Sequence, residues 1–267
     1  MKTLLKQWAP GLFGALAKVK HDLEFRWALR NQTRSMRRLD ALVLDELNAQ
    51  VAHGPFRGLR YLRDCAGVSC KVLGTYEREL SPLLESLLEV PYDAVLNIGC
   101  AEGYYAVGWA YRRGDGEVYA YDIDTSAQRL AGQLAKLNGV AHRVHVAGEC
   151  DHSELERFRG RRVLVICDIE GAELGLLDPQ KAPALAGYDL LVELHDGAGS
   201  TQIKDALDAR FGQTHKATYY RYEGRSEADC PPLRTLPTPE LRFQAVDERR
   251  GVGLEWVMYR ARANGVG

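Results

Sequence analysis

The chain has 267 residues, of which 46% are apolar and 27% charged, and its formal net charge is −1. That is the composition of a soluble globular protein; the near-zero charge argues against bulk electrostatic binding to nucleic acid, and no apolar run approaches the ~18 residues that a transmembrane helix needs. Lys and Gln interruptions after Lys2 and Lys6 break any secretory signal, and six scattered cysteines form no Cys-x-x-Cys pair, so reduced thiols in a cytoplasmic protein are expected.

Residues 1–75 read as a helical extension. Helical patterns run over Thr3 to Lys18, Asp22 to Arg38 and Ser35 to Ala52, the last with Leu39, Leu42, Leu44 and Leu47 near helical spacing. Lys2, Lys6, Lys18, Lys20, Arg26, Arg30, Arg34, Arg37 and Arg38 make residues 1–40 a basic arm. Such an arm either touches anionic lipid, as a peripheral contact, or a polymeric acceptor, or it covers the core domain or forms a homodimer. A helix over Tyr76 to Leu88, apolar along one face and stopped by Pro91, leads into the first strand and roofs its pocket.

From residue 93 the pattern is βαβαβ. A first strand over 94–98 leads into Gly99-Cys100-Ala101-Glu102-Gly103, then a helix over about 103–113. A second strand over 118–122 ends on Asp122, and a helix from Ser126 to Leu137 follows, capped by Thr125 or Ser126. Strands at Arg143 to Val146, Val163 to Cys167 and Leu190 to Leu194 follow, with a helix beginning at Gly171 and another from Ser200 to Phe211, capped by Ser200 or Thr201. Residues 223–240 are polar and proline-rich, a surface excursion between two late strands, Thr218 to Tyr222 and Leu254 to Tyr259. With no crossover helix between them, these form a hairpin at the edge of a parallel sheet. The fold class is α/β, mostly parallel, with helices on both faces.

The turn after the first strand selects the ligand. A dinucleotide fingerprint needs glycine at its sixth position, where Tyr104 stands. No Gly-Lys-Ser/Thr follows, which excludes a P-loop. What remains is a small-residue turn with a carboxylate at the end of the next strand, 19 positions after Gly103, a plan that suits S-adenosylmethionine. Asn97, Gly99, Cys100, Ala101, Gly103 and Tyr104 then lie along the methionine and ribose. Asp122 accepts from the ribose hydroxyls with Ile123 beside it, and Glu149 accepts from the adenine amine. Ligands of open α/β sheets bind beyond the carboxyl ends of the strands. Asp168, after strand four, and His195-Asp196, after strand five, therefore converge on the same pocket.

In these residues the chain resembles the class I S-adenosylmethionine-dependent methyltransferases, and within them the FkbM-type family. The likeness lies in Val95 to Tyr105, Val118 to Asp122, Asp168-Ile169-Glu170-Gly171-Ala172-Glu173 and Leu191-Val192-Glu193-Leu194-His195, and spans about residues 76–262. It implies a seven-stranded Rossmann-like methyltransferase domain over residues 76–267, and O-methylation of a hydroxyl on a saccharide or related small molecule. The first-strand acid usual in the superfamily is Asn97 here, an amide that can hold the turn but supplies no charge. A methyltransferase-fold scaffold without catalysis is the alternative that this departure raises. For catalysis, His195 is the expected base, since imidazole titrates near neutrality, with Asp168 orienting it or binding the acceptor. A Mg²⁺ site on Asp168 and Asp196, with Glu170, is the competing arrangement. Glu170 and Glu173 also suit the first turn of a helix. An RNA acceptor is disfavoured, because no Asn-Pro-Pro-Tyr-like segment follows strand four.

Overall fold

The computed structural model describes residues 34–196, 200–249 and 255–262. Most of the basic arm, the helical pattern over Thr3 to Lys18 and the part of the Asp22 to Arg38 pattern before residue 34 lie outside them. Five parallel strands form first: β1 (Ala94–Ile98), β2 (Glu117–Tyr121), β3 (Val144–Ala147), β4 (Val163–Cys167) and β5 (Asp189–Leu194). Then β6 (His215–Arg221) and β7 (Glu255–Ala261) close one edge as the expected hairpin. The order is β3-β2-β1-β4-β5-β7-β6, with β7 antiparallel to both neighbours. This is the Rossmann-like arrangement of class I methyltransferases, and the order reverses between β1 and β4.

β1 and β4 are buried along their whole length, which explains their unbroken apolar runs. Alternate residues feed two cores. Val95, Ile166, Leu191 and Met258 face one; Leu96, Val165, Leu190 and Val257 face the other. Residues 34–46 form the first described helix, α1, shorter than expected because Asn48 and Ala49 turn left-handed and Gln50 bridges to Arg60. Val43, Phe56, Leu59 and Tyr61 belong to the first core, so the described part of the extension shares a core with the sheet. The buried carboxylate of Asp40 on α1 accepts from the backbone N–H groups of Gly67, Val68 and Ser69, at the start of α2 (Ser69–Leu73).

The helix expected from Tyr76 breaks at Glu77, which is left-handed, and starts again as α3 (Ser81–Leu88) with Pro82 in its first turn. Next come α4 (Tyr104–Arg112) and α5 (Thr125–Leu137). The cap of α5 is Asp124, whose side chain accepts from Ser126 N, rather than Thr125 or Ser126. Beyond it lie α6 (His152–Glu156), the single turn α7 (Glu173–Leu176) and α8 (Gln202–Phe211). The excursion after β6 is less superficial than its polarity suggests. Cys230 and Leu236 are buried, α9 (Pro239–Val246) packs within it, and the enclosed Arg225 guanidinium pairs with Glu79 and Glu248.

His215, at the start of β6, is buried, with Nε2 donating to the Tyr188 carbonyl at 2.8 Å and Nδ1 accepting from Thr214. Burial lowers its pKa below the ordinary 6.5 despite that carbonyl. Below pH 6.5 the unfolded chain therefore binds a proton that the native imidazole refuses. Native stability should decline as pH falls through that window, by up to about 1.4 kcal/mol per pH unit. Urea titrations of wild type and His215→Phe at pH 7 and pH 5 measure this. An equal pH response in both proteins would exclude His215 as its source.

Candidate active site

The turn at the carboxyl end of β1 has little steric freedom. Gly99 has φ +78°, and a Cβ there would stand 1.6 Å from the Asp168 carbonyl oxygen, so the close approach of β4 requires glycine. Ala101 is also left-handed, at φ 46°. Its N–H donates to Asp122 Oδ2 at 2.8 Å, and Asp124 N donates to Oδ1 at 2.9 Å. These two bonds fix the Asp122 carboxylate while leaving further lone pairs for a ligand.

Beyond the strand ends lies a cleft of about 580 Å³. Gly99, Asp122, Ile123, Glu149 and Asp168 line it, as expected. Ile123 is 83% exposed, an apolar side chain offered at the rim. Asn97, Cys100, Ala101, Gly103 and Tyr104 do not line the cleft. Cys100 is buried, and the Tyr104 ring turns into the core, edge-on to Phe56 at 5.1 Å and Tyr76 at 5.4 Å. Of the Tyr104 expectation, only a backbone role is compatible with that packing. Asn97 is 1% exposed beneath the turn, and its Oδ1 has no protein partner. Sequence reasoning missed His152, Ile169 and Leu176 on the opposite wall, where His152 Nε2 reaches the Gly175 carbonyl at 3.1 Å. Of these only Ile169 lay within a motif, and there it was given no role.

The turn is tied to the extension as well. Glu102 Oε1 accepts from Tyr61 Oη and from Lys71 Nζ, the latter at 2.5 Å. Burial works against the Glu102 charge, but Lys71 outweighs it and keeps the carboxyl below its usual pKa.

At the β4 and β5 ends, Asp168 and His195 do come together. His195 Nδ1 is 2.8 Å from Glu173 Oε1, and its Nε2 is 3.4 Å from Asp168 Oδ1, 3.5 Å from Glu170 Oε2 and 3.8 Å from Glu193 Oε2. Sequence reasoning gave Glu193 no role and Glu173 only a helix terminus. Glu173 does accept from Gly171 N at 3.1 Å, but it is fully buried and also holds the imidazole. The Glu173 bond, working against burial, pushes His195 up to about 9. The expectation was of a free imidazole; His195 instead stands among four carboxylates, which favour its protonated form. Burial, then the charge of Glu193, pushes Asp168 up to about 7. Asp196 does not join this group. Its carboxylate accepts from Ile203 N at 2.8 Å and Lys204 N at 3.0 Å, so it caps α8, the role expected of Ser200 or Thr201. The ligand-type atoms of Asp168, Glu193 and His195, without Asp196, lie within 4.8 Å of one another.

The cleft beyond the strand ends and the acidic group thus share Asp168. No family model matches the chain. It is 37% identical over 110 residues to the ribosomal protein L11 methyltransferase of Pelotomaculum thermopropionicum, covering 41% of this chain and 34% of that protein. It is 34% identical over 127 residues to the same-named protein of Pelobacter propionicus, covering 45% and 40%. The chain thus matches well under half the length of these curated relatives. Among solved structures it is similar to the O-methyltransferase TomG of Streptomyces achromogenes, solved with S-adenosylmethionine, at 16% identity and a TM-score of 0.46, covering 69% of this chain and 79% of that one. A SAM-dependent O-methyltransferase of Thermotoga maritima matches at 14% identity and a TM-score of 0.43, covering 68% and 65%. The sheet order, the β1 turn with Asp122 and the curated relatives place the chain in the class I S-adenosylmethionine-dependent methyltransferase superfamily. Among the described residues, no helix is long and apolar enough to cross a membrane.

Proposed function

We propose that this chain is an FkbM-type O-methyltransferase that moves the methyl group of S-adenosylmethionine to a hydroxyl of a saccharide or related small molecule. The observation that carries the reading is the double placement of Asp168. It lines the cleft that suits the cofactor, and it stands 3.4 Å from His195 in the acidic group. Asp122 takes the ribose hydroxyls, Glu149 the adenine amine, and the turn backbone at Gly99, which lines the cleft, faces the methionine. The acceptor oxygen attacks the sulfonium methyl in line. The C–O bond forms as the C–S bond breaks, the electron pair goes to sulfur, and S-adenosylhomocysteine leaves. The hydroxyl proton passes to the carboxylates of the Asp168 group. Positioning supplies most of the rate, up to about 7–11 kcal/mol in favourable cases. The six cysteines are buried and unpaired, which supports a reducing compartment, the cytoplasm.

A second reading has its own support. The curated relatives are named for ribosomal protein L11, and an acidic pocket also suits an ammonium acceptor. An N-methylated rather than O-methylated product would decide for it. For the cofactor, titration calorimetry with S-adenosylhomocysteine should show binding that Asp122→Ala weakens roughly 10- to 150-fold, the worth of one hydrogen bond to a charged group. No binding at millimolar ligand would instead favour the non-catalytic scaffold.

A further inference from the structure

We propose that Asp168, Glu193 and His195 form a binding site for one divalent first-row transition-metal ion, beside the methyl-transfer position. Its function there rests on the reading above; the binding itself does not.

Gly99, Asp168, Glu193 and Trp256 continue neighbouring register rows across β1, β4, β5 and β7, and Glu193 pairs directly with Trp256. His195 lies two positions beyond Glu193, so strand alternation returns it to the same side. Metal bonds of about 2.0–2.2 Å set ligand atoms roughly 3–4.4 Å apart. The separations of 3.4 Å and 3.8 Å from His195 Nε2 fit this, and the widest, within 4.8 Å, needs only a small closure. The imidazole is already oriented for the task. Glu173 holds Nδ1 and leaves Nε2 directed at the two carboxylates, the usual support for a metal-bound histidine. One imidazole with two carboxylates favours manganese, iron, cobalt or zinc over magnesium and calcium, which prefer all-oxygen shells.

Three buried polar atoms add an independent indication of a ligand. Trp256 Nε1, 2% exposed and beside Glu193 in the register, has no protein acceptor. Neither does Tyr105 Oη, whose ring packs on Trp256 at 6.0 Å. Both are donors on the sheet face of the metal ligands, suited to an oxygen brought there by the ion. Glu173 Oε2, on a fully buried side chain, also lacks a partner, one atom from the oxygen that grips His195. Among the described residues, the cationic side chain within ion-pair distance of Asp168, Glu170 and Glu173 is His195 alone. A divalent ion would balance the remaining charge.

The test uses the full chain, dialysed against chelator and titrated with Mn²⁺, with bound ion read by electron paramagnetic resonance and affinity by calorimetry. One ion per chain is expected. His195→Ala and Glu193→Gln should each weaken it by at least about tenfold, and Glu173→Gln by roughly 10- to 100-fold through loss of orientation. Asp196→Asn should leave it unchanged. Circular dichroism identifies any variant that fails to fold, and Glu193→Gln, the most conservative change, remains informative if His195→Ala does not fold. Absence of Mn²⁺ binding below millimolar, or equal binding in His195→Ala and Glu193→Gln, overturns the site. Parallel titration with S-adenosylhomocysteine separates the two readings. Cofactor without Mn²⁺ removes only the metal site; Mn²⁺ without cofactor removes the methyltransferase reading and leaves the metal site standing.

Discussion

Gly99→Ala is expected to cost this protein about 2–5 kcal/mol of stability. Two terms add. A residue with a Cβ held left-handed costs roughly 1–2 kcal/mol, and Gly99 sits at φ +78°. The added methyl would also overlap the Asp168 carbonyl oxygen, at 1.6 Å. That oxygen belongs to the backbone where β4 ends, so no rotamer change relieves the contact, and overpacking of this kind costs about 1–3 kcal/mol more. Since domains are stable by only about 5–15 kcal/mol, the variant should unfold at a much lower urea midpoint. The part that stays folded should bind S-adenosylhomocysteine poorly, because the turn must move to make room. A midpoint shift worth under about 1 kcal/mol would mean that the β1 turn does not approach β4 as described.

The second large effect is on rate. Asp168→Asn keeps the side chain's shape and removes its ability to take a proton or ligate strongly. Methyl transfer to a hydroxyl should fall by about 10²–10⁴, the range for loss of a positioned acid or base. S-adenosylhomocysteine should still bind, since the Asp122 contacts and the turn are untouched. Single-turnover assays with labelled methyl donor measure the first, and calorimetry the second. Near wild-type transfer in this variant would remove Asp168 from the chemistry and, with it, the observation on which the proposed function depends.

Most of the fold was legible because burial writes itself into sequence. Val163 to Cys167 is apolar without interruption because both faces of β4 are covered, and the same holds for β1. The hairpin at the edge was legible from the end of the βα alternation. Legibility failed where local chemistry competed. Asp124, Asp196 and Glu77 decide helix starts through side-chain bonds or backbone hand, and neither shows in periodicity. α9 was hidden in a polar segment rich in proline, because what buries it is the excursion's packing against the extension rather than an amphipathic stripe of its own. In the site, His195 drew its sequence neighbour Asp196 into the metal expectation. Strand alternation was the better guide: 193 and 195 share a face, and 196 turns away to α8. A glutamate inside the apolar run Leu190 to Leu194 was itself the signal, since a charge in a doubly covered strand rarely stands there without a task.

The grip of Tyr61 and Lys71 on Glu102 has a thermodynamic corollary. A ligand lying along the turn and a chain segment anchored to the same turn draw on one conformational equilibrium. Coupling of that kind is reciprocal: under the proposed function, whatever settles the segment from Tyr61 to Lys71 would lower the ordering entropy left for the cofactor to meet, and the bound cofactor would stiffen that segment in return. A part of the chain remote in sequence from the proposed methyl-transfer position would thereby acquire a share in how tightly the donor is held.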